Sequence, residues 1–213
     1  MLAVKVYDVS VPLHEGMVIY PGDPPLQLEY MHRISEGAGA NNSWVCFGAH
    51  AGTHLDAPHH FIDGAATVEQ VATEALIGPA RVFRLDVQEA ITAEDLRPLD
   101  WEGVQRPLFR TRNSSLWRQS EFAQDFVYLT KDAAEFLVER RPLLAGVDYL
   151  SVDRFHAAGH PAHKALLGAG ILALEGLDLS QVPPGDYFLF CGLLPVVGAE
   201  AAPARVFLLE DKN

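Results

Sequence analysis

Eight short segments rich in Val, Phe, Tyr and Leu, punctuated by Gly, Pro and Asp, limit the architectures open to this chain. They are KVYDVSV at 5–11, SWVCFGAH at 43–50, ARVFRLDV at 80–87, PLFRT at 107–111, FVYLT at 126–130, ILALE at 171–175, DYFLFC at 186–191 and ARVFLLE at 204–210. Runs of this length and composition read as β-strands. Helical patterns fall between them at 67–76, 92–97, 130–140 and 163–169. Thr92 with Asp95 forms a candidate capping box, and Thr130 a candidate cap for the third helix. Strands outnumber helices and do not alternate strictly with them, so the expected fold class is α/β, a mixed β-sheet with packed helices. With 213 residues and no internal repeat, low-complexity segment or linker-like shift, the chain reads as a single domain over 1–213. The segment TRNSSLWRQSE at 111–121 is the clearest interruption and a candidate lid.

Charge narrows the partners. A formal net charge of −12 argues against sequence-blind binding to nucleic acid or an anionic membrane, because phosphate neutralisation needs clustered Lys and Arg. Small molecules or proteins are the better candidates. Only Cys46 and Cys191 are present, without C-x-x-C spacing, which fits a reducing compartment; both read as buried thiols. The N-terminal MLAVKVYDVSVPL reaches Asp8 before any apolar stretch could serve as a signal, and no uncharged run attains spanning length. A cytoplasmic location is the expectation.

Seven of the nine histidines lie in two short clusters, at 50–60 and 156–163. The first, HAGTHLDAPHHF, sets His50, His54 and Asp56 at H-x-x-x-H-x-D spacing, a donor set suited to a metal ion. Gly52, Thr53 and Pro58 disfavour a helix, so a strand ending at His50 and a loop after it are expected. Gly52 would let the backbone turn closely past the ion, and strand alternation would put His54 and Asp56 on one side. The second cluster contains His156, His160 and His163, followed by Glu175 directly after the apolar run ILAL. A carboxylate there would be costly to bury without a cation. Against these readings, a single histidine is more often a surface or hydrogen-bonded core residue, and Glu175 could equally cap a following helix or end a strand in solvent. His14, His32, His156 and His160 are assigned no role.

GAHAGTHLDAPHHF resembles the signature of the cyclase family of metal-dependent hydrolases, whose best understood members are bacterial kynurenine formamidases, or arylformamidases. The similarity extends over most of the chain. YDVSVPLHEGMVIYPGDPPL resembles the family's N-terminal strand and substrate loop, LFRTRNSSLW a middle segment, and GVDYLSVD with HKALLGAGILALEGL the second metal-binding half. The resemblance implies a swivelling β/β/α fold and two divalent metal ions per chain, zinc first and manganese as the alternative. By position it assigns His50, His54 and Asp56 to one ion and Asp56, His163 and Glu175 to the other, with His160 the competitor for His163. The catalytic histidine falls on His60, while His59 acquires no role.

The implied reaction is hydrolysis of an aryl amide such as N-formylkynurenine, by a homodimer or larger homo-oligomer. A metal pair roughly 3.5–4 Å apart can acidify a shared water and polarise the scissile carbonyl, and His60 would shuttle the proton. Two departures bear on substrate identity. Tyr20, the expected substrate-binding residue, precedes Pro21-Gly22-Asp23 where formamidases typically carry Trp, and the C-terminal FCGLLPVVGAEAAPARVFLLE lacks the lysine often found after the Leu-Pro step. Isatin hydrolases share the fold and ligand set, so cyclic-amide hydrolysis is the alternative activity. A non-catalytic metal- or ligand-binding module is a second alternative, since such a module would not require His60. A serine mechanism has little support without G-x-S-x-G, and a structural zinc site is weakened by the lack of cysteines at ligand spacing.

Overall fold

The structure is a computed structural model that describes residues 4–211; residues 1–3 and 212–213 of the expected domain lie outside the described residues. Twelve strands run in chain order as β1 (Val4–Asp8), β2 (Gln27–His32), β3 (Asn42–Cys46), β4 (His54–Asp56), β5 (Ile77–Arg84), β6 (Ala90–Ile91), β7 (Pro107–Arg110), β8 (Tyr128–Leu129), β9 (Leu144–Val147), β10 (Leu172–Glu175), β11 (Gly185–Leu193) and β12 (Ala201–Asp211). The α-helices are α1 (Thr73–Leu76), α2 (Ala93–Leu96), α3 (Lys131–Arg140) and α4 (Pro161–Gly168).

The main sheet is mixed. Strands β5, β7, β9 and β10 pair in parallel, while β4, β11 and β12 join antiparallel. The long strand β12 closes it. Along one edge its Ala201–Pro203 stretch pairs with β4 and its Phe207–Asp211 stretch with β1, while its other edge pairs with β11. The order β12-β11-β5-β7-β9-β10-β4 therefore returns to β12 as a closed, barrel-like ring, with β1 an additional strand on β12.

Alternation divides the buried side chains into two cores. Val82, Leu108, Leu144, Leu172 and Leu174 fill the ring with Leu55, Leu189 and Val206. Their neighbours Phe83, Phe109, Ala145 and Ala173 turn outward and pack beneath α2, α3 and α4. This follows from the two-residue period of a strand buried on both faces. Space inside the ring is tight, since a Cβ on Gly146 would lie 2.4 Å from Leu108 Cδ2. The expected caps are present. Thr92 and Asp95 exchange a reciprocal capping box, and the Thr130 hydroxyl accepts from Ala133 N–H.

Several sequence expectations need correction. The pattern at 67–76 forms a 3-10 turn, Val68–Gln70, and the single helical turn α1, while the run at 126–130 contracts to the two-residue β8. Cys46 is exposed on β3, and only Cys191 is buried, its thiol pushed up to about 12 by desolvation. The candidate lid at 111–121 is largely anchored: Arg112–Arg118 is a 3-10 helix with Asn113, Ser114 and Leu116 buried. Asp148 accepts from Thr111 N–H at 2.7 Å and Ser114 N–H at 3.0 Å, and Trp117 Nε1 donates to Leu177 O at 3.0 Å. Burial pushes the Asp148 carboxyl up despite these donors.

Candidate metal centre

The first histidine cluster folds as a turn, a short strand and a 3-10 turn. β3 ends at Cys46, so His50 occupies the following turn rather than closing the strand. Gly52 has φ 64°, and a Cβ there would lie 2.7 Å from Leu13 Cδ2 and 3.0 Å from Val11 Cγ2. Glycine is thus needed to admit the N-terminal segment at this left-handed turn. In β4 the side chains of His54 and Asp56 turn to the helix side, while Leu55 enters the ring. His60 follows in the 3-10 turn Pro58–His60.

Strand pairing brings the second cluster to the first. β10 lies antiparallel to β4 with Glu175 opposite His54 and Ala173 opposite Asp56. Immediately beyond, Gly176 packs so closely that a Cβ would lie 2.1 Å from Gly52 O. Thr53 Oγ1 staples the strands, donating to Gly176 O at 2.6 Å and accepting from Val11 N–H at 2.9 Å. The first turn of α4 then carries His163 over the pair, while His160 caps the helix in the left-handed region at φ 48°.

The donor atoms converge on Asp56. His50 Nδ1 is 3.0 Å from Asp56 Oδ1, His54 Nε2 is 3.5 Å from the same oxygen, and His163 Nε2 is 3.4 Å from Oδ2. Glu175 spans the group, with Oε2 3.3 Å from His54 Nε2 and Oε1 3.0 Å from His163 Nε2. His60 Nε2 stands slightly farther out, 3.9 Å from Asp56 Oδ2. His54 Nδ1 lies 2.9 Å from Gly52 O and His163 Nδ1 lies 2.6 Å from Asp153 Oδ2. With Nδ1–H donating in each case, both Nε2 lone pairs are directed into the cluster, the arrangement typical of metal-bound histidines.

The residues fit a divalent cation. His54 and Asp56 are wholly buried, yet His54 Nε2 and both Asp56 carboxylate oxygens lack a hydrogen-bond partner, even with His50 Nδ1 so near. Buried polar atoms left in this state are costly, and a cation satisfies all three. The electrostatics agree. Burial opposes charge on His50, but Asp56 outweighs it and raises the imidazole to about 9. His163 is also raised, with burial opposed by Glu175 and Asp153, and Asp56 is held low despite its burial by His50 and His163. The site is built to hold positive charge. Two donor sets meet within 4.8 Å at Asp56: His50, His54 and Asp56, and Asp56, His60 and His163. His60 therefore lies within ligand reach as well as at the edge of the cluster.

The Cyclase family model matches residues 7–154. The chain belongs to the Cyclase family. Like it are the kynurenine formamidase of Geobacillus thermodenitrificans, 35% identical over 202 residues covering 94% of this chain and 95% of the relative, and that of Sphingopyxis alaskensis, 33% identical over 209 residues covering 97% and 98%. A solved structure described as a potential metal-dependent hydrolase with cyclase activity superposes with a TM-score of 0.84 at 38% identity, covering 99% of this chain and 100% of its own. Isatin hydrolase A from Labrenzia aggregata shares the fold, with a TM-score of 0.84 at 24% identity over 99% and 95% of the two chains.

In this Cyclase family member the cluster opens into a cavity of about 280 Å³ whose wall includes Tyr20, Asp23, His60, Phe61 and His160. Tyr20 sits edge-on to Phe122 and Phe155, at centroid distances of 5.3 and 5.6 Å, and burial raises its hydroxyl. Burial also lowers His60, against the pull of Asp56, and so favours its neutral form. His160, the competitor for His163 in the sequence, lies tilted against Phe61 at a centroid distance of 4.9 Å and shares a third donor set with Asp153 and His163. Asp153 carries no motif of its own in the sequence. It accepts from Ala162 and His163 N–H as well as facing the His163 ring, so it orients both the start of α4 and the imidazole. No spacing rule links it to His163; a carboxylate inside GVDYLSVD was the only sequence signal.

Proposed function

We propose that this protein is a metal-dependent amide hydrolase of the arylformamidase type, cleaving N-formylkynurenine to kynurenine and formate. The observation that carries the reading is the buried, unpartnered Asp56 carboxylate, ringed by His50, His54, His163 and Glu175, of which His50, His163 and Glu175 line an aromatic-walled cavity. His50, His54 and Asp56 would hold one ion and Asp56, His163 and Glu175 a second, with zinc preferred and manganese the alternative for this nitrogen and oxygen donor set. When bound, the ions supply an acidified water and a polarised carbonyl.

The chain's own residues supply the rest. Tyr20 and Phe61 offer ring faces and edges to an aryl group, positioning its amide over Asp56 and His60. His60, neutral near pH 7, accepts the water proton as the new C–O bond forms. It then returns that proton to the departing arylamine nitrogen as the C–N bond breaks, leaving formate and the free amine. Asp153 fixes the ring of His163 without touching substrate.

The swivelling β/β/α arrangement belongs to the same reading and is supported by the fold likeness to family structures. So does a homodimer or larger assembly, for which exposed Leu28, Met31, Trp44 and Val45 on the β2–β3 hairpin offer apolar surface. Two free cysteines, one exposed, favour a cytoplasmic location. None of the described helices is long and apolar enough to cross a membrane.

The test is a hydrolysis panel on zinc- and manganese-loaded protein with N-formylkynurenine, isatin and simple aryl formamides. Preference for the formamides supports the assignment, preference for isatin moves it to cyclic amides, and turnover of none overturns it.

A further inference from the structure

Asp23 is a carboxylate of the cavity wall that the reaction leaves unused. The turn Tyr20-Pro21-Gly22-Asp23 is closed by Asp23 N–H donating to Tyr20 O at 3.0 Å, with Gly22 at φ 106°. Pro at the second position and a positive-φ Gly at the third make this a rigid turn. It is seated on the metal loop, since a Cβ on Gly48, two residues before His50, would lie 3.2 Å from the Pro24 ring. The turn thereby presents the Tyr20 ring and the Asp23 carboxylate to one cavity, which they share with His60, His163 and Glu175.

The Asp23 side chain does not help build the turn. It is half-buried, and among the described residues no ion pair or side-chain hydrogen bond reaches its carboxylate. No Lys or Arg lines the cavity. A carboxylate held on a rigid turn, partly withdrawn from water, with no Lys or Arg beside it and no direct partner, is best satisfied by a cation on the ligand. We infer that Asp23 recognises a protonated amine on the substrate, which makes this site selective for aryl amides that carry an ammonium side arm. The inference rests on the arylformamidase reading of the same site and deepens it: Tyr20 takes the ring, His60 serves the amide, and Asp23 takes the amine. The absence of Lys and Arg from the wall leaves a carboxylate on the same side arm to solvent.

The experiment compares N-formylkynurenine with its deamino analogue, which keeps ring, ketone, formamide and carboxylate and lacks only the amine. For metal-loaded wild type, kcat/KM is expected to favour the amine-bearing compound. Asp23→Asn, nearly isosteric and uncharged, should reduce that ratio on the order of tenfold to a hundredfold, the range for losing a hydrogen bond to a charged group. Asp23→Glu should restore part of it. In parallel, calorimetry measures binding of kynurenine and its deamino analogue to the same proteins, where the affinity ratio should fall in the same order. A ratio in Asp23→Asn within twofold of wild type in both measurements overturns the inference. If wild type hydrolyses neither formamide, the arylformamidase reading fails separately, and the binding ratio still decides the role of Asp23.

Discussion

Glu175 stands directly opposite His54 in the antiparallel β10–β4 register, its Oε2 3.3 Å from His54 Nε2. The other oxygen of the same carboxylate reaches His163 Nε2 at 3.0 Å and accepts from Val152 N–H at 2.8 Å. One side chain thus links the strand-borne donors to the helix-borne one. Glu175→Gln keeps the shape and removes the charge, so it should weaken the ion proposed for Asp56, His163 and Glu175 on the order of tenfold to a hundredfold while sparing the one proposed for His50, His54 and Asp56. Metal titration of the chelator-stripped protein reads this directly. Two undiminished affinities would remove Glu175 from the ligand set.

Asp56 faces four histidines and is the one carboxylate shared by both donor sets. Asp56→Ala should reduce the content of both ions and abolish turnover, as measured by elemental analysis alongside activity. A full complement of both ions in this variant would end the bridging assignment.

His60 stands nearly 4 Å from Asp56, at 3.9 Å. As an acid–base group it should be dispensable for metal retention: His60→Ala is expected to keep its ions and lose on the order of 10²–10⁴ in kcat. Loss of an ion instead would make His60 a ligand in the set with Asp56 and His163. Undiminished turnover in the metal-loaded variant would remove His60 from the proton-transfer role.

Tyr20 contributes an aromatic edge and face to the cavity wall. Tyr20→Ala should raise KM for aryl formamides several-fold more than for a minimal formamide, because binding lost from a remote group appears in KM. Equal changes for both, or only a lower melting temperature, would reduce Tyr20 to packing Phe122 and Phe155.

Gly176 tests the staple between the two halves of the site. An alanine Cβ would lie 2.1 Å from Gly52 O, against backbone that cannot move aside cheaply, and φ is 72°. Gly176→Ala should destabilise the fold on the order of 3 kcal/mol or more, seen as a shifted denaturant midpoint. A midpoint within error of wild type would show that the β4–β10 approach is looser than the structure indicates.

The sequence by itself determined the local pieces. Alternating and apolar runs located the sheet strands β1, β3, β5, β7, β10, β11 and β12, because strand periodicity is written residue by residue. The capping box at Thr92 and Asp95 was equally legible, since both partners lie within one turn. The H-x-x-x-H-x-D spacing picked out His50, His54 and Asp56 for the same reason: β4 alternation alone puts the last two on one side. Strands β2, β6 and β9 and the ring closure were not legible, because pairing of β12 with β4 depends on distant segments that share no local pattern. The family resemblance already placed His163 ahead of His160; tertiary structure supplied the reason that His163 faces Asp56 and Glu175, in the left-handed cap that starts α4 and the Asp153 carboxylate that turns the ring. Tertiary structure alone seated the Tyr20–Asp23 turn on Gly48 beside the metal loop. Contacts of that kind arise when a closed sheet brings separate loops to one end, and their selection lies in shape and burial rather than in spacing along the chain.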